Sequence, residues 1–251
     1  MGQRQIVVGI CCLFLFLTGC TSDSERTKIT VAAAASTQYV LAELIDVYTQ
    51  THAVDIHKII SSSGKITTQI SNGAPIDVFI SADQYYPNYL HQQHLTTATP
   101  IIYAHGSLVL WTFQKLPLEQ GLTVLNDASI HKIALADPKT APYGKQSVSI
   151  LKQVQLYQQL EKKIVWGESI SQVNQYINTQ AVDIGLTAKS VVMAPHLKGK
   201  GNYIDIPNSA IAQSMVLIQP SNRKMKPAAK EFYSFLQSDK AKEILKKYGY
   251  H

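Results

Sequence analysis

The sequence predicts an α/β protein of two lobes, each a mostly parallel sheet flanked by helices. Three observations lead there. Strand-like and helix-like segments alternate from Ile29 to Tyr248, the pattern of parallel sheets with crossover helices. The folded part, about 225 residues, is large enough for one big core or two smaller ones. No Pro/Gly-rich linker cuts the chain in half, which points to one lobe inserted within the other. The expected division is a signal segment at 1–19, a tether at 20–27, a first lobe from 28–104 and 210–251, and a second lobe at 105–209. The chain would cross near Tyr103–Gly106 and Pro207–Ala212.

The elements follow in order. Ile29 to Ala33 is a short apolar β-type run, and Val40, Leu41, Leu44, Ile45 and Tyr48 recur at helical spacing. Val54 to Ile60 returns to strand character, Ile66 to Ile70 begins a helix, and Asn72-Gly73-Ala74-Pro75 ends it. Ile76 to Ile80, Leu108 to Phe113, Lys132 to Ala136, Ile164 to Trp166, Val182 to Thr187, Tyr203 to Ile206 and Met215 to Ile218 read as strands. Lys145 to Leu160 and Ser171 to Asn178 read as helices. Lys226-Pro227 opens a helix carrying Phe232, Phe235 and Leu236. Helical spacing continues through Ala241, Ile244, Leu245 and Tyr248 to a stop at Gly249.

The N-terminus speaks to compartment. Arg4 precedes an apolar run from Ile6 to Leu17, shorter than the roughly 20 residues a membrane span needs. Leu17-Thr18-Gly19-Cys20 follows, resembling a lipoprotein signal in which Cys20 is lipidated and becomes the mature N-terminus. All three cysteines (Cys11, Cys12 and Cys20) lie in this segment, so the mature domain is expected to have neither disulfide nor thiol chemistry. Thr21 to Lys28 is polar and aperiodic, as a tether would be. The net charge of +6 is spread along the chain without aromatic interleaving, so nothing marks a nucleic-acid surface.

Two strand exits carry the candidate chemistry. Ala32-Ala33-Ala34-Ala35-Ser36-Thr37 and Ser61-Ser62-Ser63-Gly64-Lys65 each lead into a helix. Each sets hydroxyls and free amides at a positive helix end, where anions bind. Ser and Thr are also favoured there as plain N-caps, so the pattern leaves both capping and anion binding open.

These segments are similar to those of periplasmic molybdate-binding proteins, of the type II periplasmic solute-binding family. Lys28 to Ser36, Ser61 to Gly64, Gln69 to Asp83 (QISNGAPIDVFISAD), Ala136 to Gly144 (ADPKTAPYG) and Lys246 to Tyr250 carry the resemblance. It implies a two-lobe fold with the ligand in the cleft. The family's serine donors fall on Ser36 and Ser63, and its backbone donors on the amides of Tyr143 and Ile170. Where some members place a pocket tyrosine this chain has Ala188, so either the site makes one fewer bond or another donor, Tyr143 or Ser62, compensates. Every implied partner is a donor, which suits a fully deprotonated oxyanion such as molybdate or tungstate. Sulfate or ferric iron is the alternative solute. The resemblance further implies delivery to an ABC transporter permease, a monomer without cofactor, and an extracytoplasmic protein held to its membrane only by the lipid, in the periplasm or on the outer face of the cell membrane.

Other constellations are weaker. His91 and His94 have helical spacing but no third metal ligand nearby. Tyr85-Tyr86 resembles the paired tyrosines of ferric-binding relatives but follows a strand exit and reads as surface packing. Asp77, Asp83, Asp137 and Asp183 lie beside strands without a partner motif, and neither G-x-S-x-G nor a P-loop is present. No enzyme activity is expected.

Overall fold

The computed structural model describes residues 26–219 and 224–251. The proposed signal segment, Cys20 and most of the tether lie outside them. Thr27 and Lys28, which the tether reading included, already belong to the first strand, where Thr27 pairs with Val54 and Lys28 with Asp55. Pairing to a neighbouring strand absorbs backbone groups that polar side chains alone would leave to water.

The first sheet has strand order β2-β1-β3-β10-β4. Its strands are β1 (Thr27–Ala34), β2 (Val54–Ser61), β3 (Val78–Ile80), β4 (Ile101–Gly106) and β10 (Ile211–Leu217). β2, β1 and β3 run parallel, and β10 runs antiparallel to both β3 and β4. The second sheet has order β7-β6-β8-β5-β9. It comprises β5 (Leu108–Thr112), β6 (Ile133–Ala136), β7 (Ile164–Gly167), β8 (Ile184–Ala188) and β9 (Asn202–Asp205). Again the first three strands in that order are parallel, while β5 runs antiparallel to β8 and β9. Each sheet thus keeps a parallel core and adds one antiparallel strand, β10 or β5, with a further strand, β4 or β9, beyond it.

The chain crosses through these added strands, from β4 to β5 and back from β9 to β10. It leaves the first sheet at Gly106 and enters the second at Leu108, with Ser107 alone between them. It returns through 206–210 into β10. Ser209 ties the crossings together: its hydroxyl accepts from the Leu108 amide at 2.9 Å and donates to the Ile206 carbonyl at 2.6 Å.

The helices of the first lobe are α1 (Gln38–Thr49), α2 (Ser63–Ser71), α3 (Tyr85–Gln92), α8 (Pro227–Phe235) and α9 (Asp239–Lys247). Those of the second are α4 (Pro142–Gln153), α5 (Tyr157–Leu160), α6 (Ile170–Asn178) and α7 (Lys189–Val192). The apolar stripe read at Val40, Leu41, Leu44, Ile45 and Tyr48 is the buried face of α1. On the opposite face of the first sheet, Ile66, Ile70 and Leu90 of α2 and α3 pack with Ala32, Phe79 and Val216. Full burial of each such side chain stabilises the fold by about 1.5–3 kcal/mol.

Two long helical readings prove to be pairs. Lys145 to Leu160 breaks after Gln153, where Gln155 takes a left-handed φ of 61° before α5 starts. The run from Pro227 to Tyr248 breaks at Ser238, whose hydroxyl caps α9 by accepting from the Ala241 amide at 3.2 Å. In both places apolar spacing continues across a backbone break, because both helices of each pair cover the same core. α3 is an element the apolar pattern did not announce; only Pro87 and Leu90 of it are buried.

Candidate functional site

Four helix starts converge where the two sheets face each other. In the first lobe, β1 runs out through Ala34 into a 3-10 turn, Ala35–Thr37, that leads directly into α1. All of these small residues are buried. β2 similarly ends one residue before α2, whose N-cap is Ser62. In the second lobe, α4 begins at Pro142, a residue suited to the first helical position. α6 begins at Ile170 behind the extended Ser169. The first amides of each helix have no acceptor within it and carry the positive end of its dipole.

The starts meet in cross-cleft pairs. The Gly64 amide of α2 donates to the Thr140 carbonyl, ahead of α4, at 2.9 Å. A Cβ on Gly64 would come within 3.0 Å of that Thr140 backbone, so only glycine permits the approach. The Ser171 hydroxyl of α6 donates to Gln38 Oε1 of α1 at 2.8 Å. Ser190 donates to the Ser36 carbonyl at 2.7 Å and Tyr250 to the same carbonyl at 3.3 Å. Ser36 also stands beside the Tyr143 phenol. Nearer the surface, Lys65 pairs with Glu168 at 2.6 Å and the Tyr86 hydroxyl donates to the Lys139 carbonyl at 3.2 Å. The lobes are therefore closed on one another.

Within this junction the hydroxyls of Ser36, Ser62 and Thr140 are buried without a partner in hydrogen-bond geometry, the Ser36 hydroxyl lying beside the Tyr143 and Tyr250 phenols. Such groups cost about 1–3 kcal/mol each when unsatisfied, so three together are unusual. Ser62 occupies an N-cap position yet its side chain accepts no capping bond. At α2, then, the Ser62 hydroxyl makes no cap. Ser63 Oγ accepts from the Ala82 amide at 3.1 Å, which leaves its proton free to donate.

The structure thus brings Ser36 and Ser63 to the cleft from one side and the starts holding Tyr143 and Ile170 from the other. Tyr143 and Ile170 are buried, and their side chains serve the interior. The Tyr143 hydroxyl accepts from Gln213 Nε2 at 2.7 Å. Burial pushes the Tyr143 phenol well above its usual range, so it is neutral. Ala188 closes β8 and is buried. Of the two substitutes weighed for its missing hydroxyl, Ser62 is unpartnered, whereas the Tyr143 hydroxyl, though it keeps a proton to donate, is held at the crossing strands by Gln213. Thr140, Ser171, Ser190 and Gln213 went unread; single polar residues at loop ends and inside a strand leave no pattern in a sequence.

The carboxylates do other work. Asp137 accepts from the Lys139 amide at 2.9 Å, and Asp183 from the amides of His131 and Lys132 at 2.7 and 2.8 Å. Asp77 accepts from the Thr30 amide at 2.7 Å and from Lys226 at 3.2 Å. Burial raises the Asp83 carboxyl despite bonds from the Tyr86 amide and the Ser81 hydroxyl. Glu168, close in sequence to α6, is exposed and held below the usual carboxylate range by its bond to Lys65. Among the other residues considered, His91 Nδ1 lies 2.8 Å from the Thr96 hydroxyl, and His94 is exposed beyond the end of α3. Tyr85 is 62% exposed, as surface packing predicts, but Tyr86 reaches across the cleft.

Comparison with known proteins agrees with this fold. Residues 29–251 match the model of the bacterial extracellular solute-binding protein family. The molybdate-binding protein ModA of Azotobacter vinelandii is 32% identical, covering 93% of each chain. A putative ABC transporter substrate-binding lipoprotein, YvgL of Bacillus subtilis, is 30% identical over 99% of this chain and 98% of its own. The solved periplasmic molybdate-binding protein of Azotobacter vinelandii superposes with a TM-score of 0.82 at 29% identity, covering 89% of this chain and 98% of that one. These are binding proteins of transport systems, not enzymes, in keeping with the reading of the sequence. The chain belongs to the bacterial extracellular solute-binding protein family, with the two-lobe type II architecture of the periplasmic binding proteins it resembles.

Proposed function

We propose that this protein captures molybdate, and tungstate with it, in the cleft and delivers it to the permease of an ABC transporter. In this reading it works outside the cytoplasm as a monomer without cofactor, held to the membrane by a lipid on Cys20. The observation that carries the reading is the group of buried, unpartnered hydroxyls at Ser36 and Ser62, beside Ser63, facing the starts of α4 and α6. Ser36 and Ser63 donate hydrogen bonds to the oxyanion from their hydroxyls, and Tyr143 and Ile170 from their backbone amides. Ser62 supplies the hydroxyl that Ala188 lacks.

The chemistry favours a dianion with no proton of its own. Converging neutral dipoles can hold such an ion without a paired cation. Hydrogen phosphate would need an acceptor, and the carboxylates around the cleft are engaged elsewhere. Ferric iron calls for paired phenolate ligands, whereas Tyr85 is exposed at the surface and the Tyr86 hydroxyl donates to the Lys139 carbonyl. Binding bridges the lobes and shifts the population toward the closed form that a permease recognises. The ModA relative is named as molybdate-binding and the YvgL relative as a putative lipoprotein, which support the cargo and the anchor respectively.

Calorimetric titration of the purified protein with molybdate, tungstate, sulfate and phosphate tests this. Tight binding of the first two, with sulfate at least about 100-fold weaker, is the expected result. Equal affinity for sulfate, or no heat with molybdate, would overturn it. Labelling with a radioactive fatty acid, lost on Cys20→Ala, tests the anchor.

A further inference from the structure

Tyr143 carries two attachments: its amide lies at the start of α4, and its phenol reaches the crossing between the lobes. There its hydroxyl accepts from Gln213 Nε2 at 2.7 Å, and Gln213 Oε1 accepts from the Tyr103 hydroxyl at 2.8 Å. Gln213 is fully buried in β10, and Tyr103 lies in β4. One side-chain amide thus joins α4 of the second lobe to the two first-lobe strands by which the chain crosses.

Several features of the local backbone are arranged around this bond. The β10–β4 ladder shifts register between Gln213 and Ser214, and such an irregularity re-aims a side chain. Gly106 ends β4, and a Cβ there would lie 2.2 Å from both Gln213 Nε2 and the Tyr143 hydroxyl. The glycine makes the room in which the two groups meet. Tyr103 and Tyr143 are held neutral by burial, so the chain of bonds carries no charge that would compete with an anion. A β-strand needs no glutamine to hold its own sheet, and a phenol in lobe two needs no partner from lobe one to pack.

We propose that Gln213 is a positioning residue for oxyanion capture: through the Tyr143 phenol it sets the start of α4 against the crossing strands, so that the Tyr143 amide meets the ligand only when the lobes are closed. This rests on the assignment of that amide as a ligand donor. Gln213 itself does not touch the oxyanion. Opening the cleft breaks its bond to Tyr143, and closing remakes it, so the bond adds to the lifetime of the loaded form.

The test compares Gln213→Met, Tyr143→Phe, Gly106→Ala and the Gln213→Met/Tyr143→Phe pair in the full chain. Molybdate affinity is read by calorimetry, its release by stopped-flow tryptophan fluorescence, and the stability of the ligand-free protein by thermal unfolding. Each single change should weaken binding about tenfold, mostly through faster release, with the pair no worse than either single change. Gly106→Ala should do the same while leaving both partners in place. Unchanged affinity and release in Gln213→Met, with tight binding by the unmodified protein, would overturn this proposal alone. Additive losses that track a fall in ligand-free stability would overturn it too, by showing a structural role only. Failure of the unmodified protein to bind molybdate would overturn the functional reading, and this proposal with it.

Discussion

The two walls of the cleft present donors in different ways. The first-lobe wall offers side-chain hydroxyls, at Ser36, Ser62 and Ser63, on small residues that turn from strand into helix. The second-lobe wall offers helix starts at Pro142–Tyr143 and Ile170, whose side chains are turned to the interior. One wall depends on which residue stands at a position. The other depends on where a helix begins and tolerates several residues there. Substitutions should therefore act oppositely on the two sides: identity matters on the first, and the presence of an N–H matters on the second.

The largest effect tests the first wall. On the proposed assignment, Ser36→Ala with Ser63→Ala removes two hydroxyl bonds to a charged ligand, each about 1.5–3 kcal/mol. Molybdate affinity should fall by about 100-fold or more in calorimetry, and an unchanged affinity would break the assignment of this wall. The next tests the second wall. Ile170 is the first residue of α6, where proline is accepted without loss of the helix. Ile170→Pro should cost about 10- to 100-fold in affinity by removing one amide donor. Ile170→Ala keeps the amide and should cost far less; equal losses in the two variants would show that side-chain packing, not the amide, matters.

A smaller effect is expected at Ser62. Ser62→Ala should weaken molybdate binding about tenfold while leaving thermal stability nearly unchanged, since the hydroxyl caps nothing. A fall in stability without a change in affinity would return Ser62 to a structural role. The smallest lies at the rim. The Lys65 ammonium holds the Glu168 carboxyl below its ordinary value. Because the pKa is lowered in the closed form, this contribution to closure is present above the ordinary carboxylate pKa and fades as pH falls through the lowered one. Both groups are exposed, so Glu168→Gln should change affinity less than about threefold at neutral pH. It should also flatten part of the acid-side decline in a pH series of titrations.

The same contrast explains what was legible beforehand. Alternation of strands and helices could be read because burial imposes a period on the letters: the α1 stripe from Val40 to Tyr48 and the all-buried β6 are direct imprints of it. The Ser36 and Ser61-Ser62-Ser63 exits were visible because hydroxyls mark helix starts, whether as caps or as anion donors. The amide positions carry no letter of their own, and Tyr143 and Ile170 were reached only by resemblance. The break at Gln155 was invisible because a left-handed glutamine sits where glycine would have announced the turn. Ser238 was readable as a cap, yet unbroken apolar spacing masked it. Gln213 is one polar residue in a strand, indistinguishable by sequence from a solvent-facing one until its neighbours Tyr103 and Tyr143 are seen.

Ser107 is the whole of the connection between β4 and β5, and Ser209 laces the returning strap to the same point. A link that short works as a pivot and leaves no slack for the lobes to slide. Whatever small angle they turn through is magnified with distance from that pivot, as along a lever arm. The contact of Tyr86 with Lys139 and the Lys65–Glu168 pair near the surface should therefore travel further than the buried donors, so the mouth opens wide while a short movement near the joint is enough to part hydrogen-bonded groups.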